Sequence, residues 1–257
     1  MTSYLEQLFS LGGRVAVVTG GSSGIGRGIA LALGQAGAAA VLVARDEEKL
    51  RATVADLRAA GCQAAWVSAD LGDRAAVDRA AQEAAAAFGP PDVLVNCAAV
   101  NLRPPLAELT IGGWDTTIAV NLTAPFLLGQ HFGPGMAARG WGRIINISSQ
   151  QADRAFGNSG AYGASKGGLA SLTRSQSEAW AARGVCCNAI SPGFVATPLT
   201  ASVAGDPVRW AALAARTMRG RNGDPADFAG AAVFLASPAS DYVTGQVIRV
   251  DGGFSAT

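Results

Sequence analysis

Charge is scarce in this chain, and lysine is the scarcest charged residue. Only 15% of the 257 residues are charged, and the formal net charge is +1. That balance offers no basic face for nucleic acid and no polybasic segment for an anionic membrane surface, so neither partner is expected. Arg, Asp, Gln and Gly interrupt every apolar stretch before it reaches the length of a membrane span. The opening Met1-Thr2-Ser3-Tyr4-Leu5-Glu6 has neither a basic region nor an apolar core, so no secretory signal is read there. The four cysteines, Cys62, Cys97, Cys186 and Cys187, lack metal-ligand spacing. Cys97, Cys186 and Cys187 sit in apolar runs, which predicts reduced, buried thiols, no metal and a cytoplasmic address. The single histidine, His131, lies among Leu127, Leu128 and Phe132 and reads as structural. Internal repeats and Pro/Ser-rich linkers are also missing, and the length suits one domain spanning 1–257.

Against that background, two residues stand out. Of only two lysines, Lys166 follows one of only three tyrosines, Tyr162, by four positions. On a helix that spacing puts both side chains on one face, separated by about 6 Å of rise. An ammonium beside a phenol favours phenolate and brings proton exchange nearer to neutral pH. Ser149 precedes the tyrosine by thirteen positions, at the end of the apolar run Arg143-Ile144-Ile145-Asn146-Ile147-Ser148. Tyr-x-x-x-Lys alone is a weak pattern; with Ser149 upstream and a glycine turn near the N-terminus it becomes a strong one.

That turn is Thr19-Gly20-Gly21-Ser22-Ser23-Gly24-Ile25-Gly26. A β-branched run, Arg14-Val15-Ala16-Val17-Val18, precedes it, and an Ala/Leu-rich helical stretch follows it up to Gly37. In a strand–turn–helix context Gly20 allows the tight turn, Gly24 lets the backbone approach a pyrophosphate, and Gly26 lets helix and strand pack closely. The helix N-terminus supplies free N–H groups and the positive end of its dipole.

Further strands are expected at 40–44, 64–69, 93–96, 143–148, 185–190 and 247–250. Helices are expected at 46–60, 74–88, 114–136, 161–182 and 225–236. Continuous apolar strands alternating with helices imply an α/β, Rossmann-type doubly wound fold: about seven parallel strands with helices on both faces. The stretch 192–224, rich in Gly and Pro around the helical piece 208–215, departs from the alternation. Placed after the sixth strand, it reads as a substrate-covering loop.

Thr19-Gly-x-x-x-Gly24-x-Gly26, Asn96-Cys97-Ala98-Ala99, Asn121, Ser149, Tyr162-x-x-x-Lys166 and Pro192-Gly193 stand in the order and spacing of the short-chain dehydrogenase/reductase family. The chain resembles that family to Asp251-Gly252-Gly253, near the 3-oxoacyl-carrier-protein reductases and gluconate 5-dehydrogenases. The resemblance implies hydride transfer between a nicotinamide cofactor and a carbonyl or secondary alcohol, in a homotetramer. It implies Tyr162 as proton donor, Lys166 as its electrostatic partner and ribose contact, and Ser149 as carbonyl-orienting donor. For Asn121 it implies a water-relay position, with a helix cap or kink as the alternative. Cofactor contacts are expected from Gly20, Ser22, Ser23, Gly24, Ile25, Gly26, Asp70, Leu71, Asn96, Ala98, Tyr162, Lys166, Pro192, Gly193, Val195 and Thr197. Family members usually carry Asn-Asn-Ala-Gly where this chain has Cys97 and Ala99, a change set against the cofactor.

The end of the second strand reads Val43-Ala44-Arg45-Asp46. Arg45 can pair with a 2′-phosphate, which favours NADP(H); NAD(H) stays open if Asp46 is the reader. Arg103, Gln150, Gln151 and Arg154 are candidate substrate contacts, and such a polar rim suits a small hydroxylated or acidic molecule, a sugar acid or polyol. A 3-oxoacyl-thioester reductase and a non-catalytic cofactor-sensing regulator remain the alternatives.

Overall fold

The computed structural model describes residues 3–256. Val15–Thr19 (β1) is buried at all five positions, as a strand covered on both faces must be. Around it stand Ala39–Ala44 (β2), Ala64–Ser68 (β3), Val93–Asn96 (β4), Gly142–Ile147 (β5), Val185–Pro192 (β6) and Val247–Val250 (β7). They form one seven-stranded sheet in the order β3-β2-β1-β4-β5-β6-β7, with every pairing parallel. The chain starts beside β4, works outward to β3, then crosses back over β1. The carboxyl ends of β1 and β4 therefore flank a switch point, where open α/β sheets bind ligands.

Two apolar clusters cover the sheet. One packs Ile29, Leu33, Leu50, Leu57 and Phe228 against one face, and the other packs Val77, Leu128, Phe132, Met136 and Trp180 against the opposite face. The helices are Tyr4–Phe9 (α1), Gly24–Gln35 (α2), Glu47–Ala59 (α3), Arg74–Phe88 (α4), Ile111–Ile118 (α5), Ala124–Ala138 (α6), Gly160–Trp180 (α7), Ala201–Ala204 (α8), Pro207–Ala215 (α9) and Ala229–Ala236 (α10). α1 is a helix that the sequence reading passed over. Its signal was a capping box: Ser3 Oγ accepts from the Glu6 amide at 3.2 Å while Glu6 accepts from the Ser3 amide at 2.6 Å. No helix among the described residues is long and apolar enough to cross a membrane.

The helix expected over 114–136 differs in the structure. It starts earlier, at Ile111, and a π-helical turn, Ala119–Thr123, separates α5 from α6. Asn121 lies at the centre of that turn, completely buried. Its Oδ1 accepts from the Val100 amide and its Nδ2 donates to the Val100 carbonyl, both at 2.9 Å. One asparagine thus holds the loop after β4 to the helix, while the extra residue in the turn redirects nearby carbonyls.

Candidate active site

A cleft of about 630 Å³ opens at the carboxyl ends of β1, β4, β5 and β6. β1 delivers the glycine turn, and the geometry explains its composition. Gly20 has φ +67°, and a Cβ there would sit 2.9 Å from the Ala98 amide nitrogen; a Cβ on Gly26 would sit 2.3 Å from the Gly20 carbonyl oxygen. Thr19, which opens the glycine motif but was assigned no role from the sequence, ties this turn to β4: its Oγ1 accepts from the Cys97 and Ala98 amides at 3.0 and 3.1 Å. The N-terminus of α2 has no side-chain cap from Ser23, so its first N–H groups remain available beside the cleft.

β5 and α7 supply the titratable groups. Ser149 ends β5's connection, with its Oγ accepting from the Gln151 amide at 3.2 Å and a further hydrogen bond to Tyr162. Tyr162 and Lys166 occupy one face of α7, with the Lys166 Nζ 5.7 Å from the tyrosine ring centroid. Lys166 is 2% exposed and donates to the Ile147 carbonyl at 2.7 Å. Burial pushes the Tyr162 phenol up to about 12; the Ser149 hydrogen bond acts the other way. Burial also lowers the Lys166 ammonium to about 8. Burial is thus the largest influence on the phenol, and Tyr162 is held as a neutral proton carrier rather than the acidified phenol that the spacing suggests. Ser148, the neighbour of Ser149, is instead occupied with the Lys166 carbonyl at 3.2 Å.

The cleft brings together Gly20, Ser23, Gly24, Ile25, Gly26, Arg45, Ala98, Arg103, Ser149, Gln150, Gln151, Tyr162, Lys166, Pro192, Gly193, Val195 and Thr197. Cys97 and Ala99 line it too, and burial raises the Cys97 thiol to about 11. Ser22, Asp70, Leu71 and Asn96 lie outside its walls. Asn96 instead donates to Asn146 Oδ1 at 2.8 Å, a strand-to-strand bond between β4 and β5. Asp70 caps the Gly72 amide at 2.9 Å. Arg154 is a further correction, because its guanidinium donates to the Ser255 carbonyl, away from the cleft. At the end of β2, Asp46 caps α3 through the Lys49 amide at 3.1 Å and pairs with the Lys49 ammonium at 2.8 Å. Arg45, one residue earlier, is exposed on the cleft wall and carries no ion pair among the described residues.

A feature of the lining decides the electrostatics: it holds the cations Arg45, Arg103 and Lys166 and no Asp or Glu. Low-dielectric walls of one sign concentrate ligands of the other. Among the described residues no group of His, Cys, Asp and Glu is arranged to hold a metal ion.

The family model described as enoyl-(acyl carrier protein) reductase matches residues 20–255. The chain belongs to the short-chain dehydrogenase/reductase family. It is an NAD(P)-dependent oxidoreductase. It is 42% identical over 246 residues to cis-4-hydroxycyclohexanecarboxylate dehydrogenase of Sinomonas cyclohexanicum, covering 95% of this chain and 97% of that protein. It is 38% identical over 250 residues to gluconate 5-dehydrogenase of Gluconobacter oxydans, covering 97% and 98% respectively. A crystal structure of a gluconate 5-dehydrogenase from Burkholderia cenocepacia J2315, in complex with NADP and tartrate, superposes with a TM-score of 0.93 at 37% identity, covering 99% of this chain and all of that one.

Proposed function

We propose that this enzyme interconverts a hydroxyl and a keto group on a sugar acid, using NADP(H). The observation that carries the reading is the cleft wall, with three cations and no acidic side chain around the Ser149–Tyr162–Lys166 constellation. Those cations suit two anionic partners, a phosphorylated cofactor and a carboxylate substrate. The residues present fit the cofactor. Gly20 and Gly26 let the turn after β1 fold back tightly on its own backbone at the cleft floor, the uncapped α2 N-terminus suits a pyrophosphate, and Arg45 is free to meet a 2′-phosphate. The two relatives named by activity, from Sinomonas and Gluconobacter, act on hydroxylated carboxylates by their names.

When bound, NADP(H) supplies or accepts the hydride at the substrate carbon. The remaining work falls to this chain. Ser149 donates to the substrate oxygen and fixes its direction, while Tyr162 holds the proton that this oxygen gains on reduction. A phenol kept at about 12 is protonated throughout the neutral range, as reduction requires. Lys166, buried beside it, stabilises negative charge developing on the phenolic oxygen. Asn121 keeps the β4 loop in register with α7 through Val100 and through Ser165 Oγ at 3.1 Å. The segment 192–224 covers the cleft, with its two ends joined where the Gly223 amide donates to the Phe194 carbonyl at 2.8 Å. Exposed Ile111, Trp114 and Phe126 on α5 and α6, together with the partly exposed edge strand β7, support a homotetramer. The four unpaired cysteines support a cytoplasmic enzyme.

The test is a panel of sugar acids, matched polyols and 3-oxoacyl thioesters assayed with both cofactors at the nicotinamide absorbance band. Turnover led by a sugar acid with NADP(H) is the expected result. A panel led by the thioester would replace this reading.

A further inference from the structure

One corner of the cleft joins a cation to an aromatic wall. Phe156, on the loop after β5, and Phe194, just after β6, both line the cleft and are half-buried. Their rings meet edge to face, with centroids 5.8 Å apart and an interplanar angle of 65°. Phe254, 1% exposed and in the short turn after β7, packs on both. It stacks on Phe156 at 6.2 Å and lies 5.8 Å from Phe194. Arg216, in the covering segment, stands over the Phe254 ring at 4.3 Å. The cation is Arg103, which lines the cleft and donates to the carbonyl of Gly157, the residue next to Phe156. Leu102, beside Arg103 in the chain, lines the same cleft and is left 43% exposed.

Aromatic rings at these distances attract one another beyond the area they bury, so three mutually packed rings fix the Phe156 face before any ligand arrives. A wall ordered in advance costs a ligand little on binding. Half-exposed Phe and Leu side chains in a cleft gain when a ligand's CH groups exclude water from them. A hydroxyl pressed against the same rings loses its water and finds no partner. An open-chain sugar acid carries a hydroxyl on almost every carbon beside its carboxylate, so it has no face that suits this wall. A saturated ring has one, because its axial CH bonds gather on one side while the carboxylate projects from the rim.

We infer that Phe156 is a specificity-determining residue, and that this corner of the cleft selects a hydroxy acid whose carbons close into a saturated ring. Arg103 takes the carboxylate, and Phe156, steadied by Phe194 and Phe254, takes the CH face of the ring. The inference rests on the sugar-acid reading for the carboxylate and the reacting hydroxyl. It narrows the skeleton from chain to ring, cyclic sugar acids included. Phe254 is then a positioning residue, acting on the substrate only through Phe156 and Phe194.

The experiment compares the full-length wild type with Phe156→Ala and Phe156→Tyr, using NADP+ and either 4-hydroxycyclohexanecarboxylate, both isomers, or gluconate. The wild type is expected to favour the ring acid in kcat/KM. Phe156→Ala should lower the ratio of ring acid to gluconate about tenfold, the scale of one ring's apolar contact, while Phe156→Tyr keeps most of the preference. A wild type that favours gluconate, or equal losses for the two acids in Phe156→Ala, would overturn the inference. Calorimetric titration of cyclohexanecarboxylate into each NADP+-loaded protein adds a readout independent of turnover. Weaker binding in Phe156→Ala supports the aromatic wall, and equal binding refutes it. Turnover of gluconate without the ring acid sinks this inference and leaves the sugar-acid reading standing. Turnover of the ring acid with no sugar acid accepted does the reverse.

Discussion

Replacing Gly26 with alanine tests whether the turn after β1 is as tightly constrained as its geometry requires. The new Cβ would lie 2.3 Å from the Gly20 carbonyl oxygen and 2.8 Å from its carbon. Ordinary contact between heavy atoms is about 3.5 Å, so the carbonyl must retreat by roughly 1 Å. It has little room to do so, because the space on Gly20's other side is closed by Ala98 and Cys97 backbone atoms at 2.9–3.1 Å from its Cβ position. Forced overpacking of this kind costs about 1–3 kcal/mol. For a chain of this length each kcal/mol lowers Tm by about 2–4 °C, so the expected loss is about 2–12 °C. The same displacement moves the cleft floor, so NADPH affinity should fall as well. Gly112 in α5 is the control, because no atom lies within 4 Å of its Cβ position. There alanine should be neutral or stabilising by up to about 1 kcal/mol. Scanning calorimetry and fluorescence titration with NADPH read both effects. If Gly26→Ala melted and bound cofactor like Gly112→Ala, the close packing of α2 on the turn would be wrong.

Four other outcomes follow from the site. Arg45→Ala should weaken NADPH binding about ten- to hundredfold with little change for NADH, measured by titration; equal losses would remove Arg45 as the 2′-phosphate reader. Lys166→Met should raise Tm while damaging turnover and cofactor affinity. A folded-state pKa of about 8 lies below the lysine's ordinary value near 10.5, so the buried ammonium opposes folding at pH 7 by about 3 kcal/mol. The wild type should accordingly gain stability as pH rises from about 8 towards 10.5, until other groups titrate, which denaturant melts across that window can check. For the same reason reductive kcat/KM should be level below pH 8 and decline above it, as Lys166 loses its proton. A pH-independent rate between 7 and 10 would contradict a charged Lys166 in the rate-limiting step.

Much of this arrangement is legible in the chain because the strands are buried on both faces. Val15–Thr19 and Gly142–Ile147 are buried at every position and lie within a residue or so of their expected ends. Tyr162 and Lys166 share a face because helical spacing alone dictates it. The π-turn at Ala119–Thr123 was not legible, since one inserted residue barely alters the apolar periodicity of 111–138. Nor was the diversion of Arg154 to Ser255, a bond between residues 101 positions apart. The raised phenol was missed for a related reason. Spacing reports which charges can meet but not how much water is excluded, and here burial is the largest influence on the phenol. Arg45 and Asp46 show the reverse case, in which two adjacent candidates were separable only once Asp46 was seen capping α3.

The account rests most heavily on Tyr162 as the group that exchanges the proton with the substrate oxygen. Tyr162→Phe keeps the ring and its packing but removes the proton, so kcat on the best substrate of the panel should fall about 100- to 10,000-fold. NADPH affinity, measured by titration on the same protein, should stay within a few-fold of wild type. A variant retaining more than about a tenth of wild-type kcat would contradict the assignment.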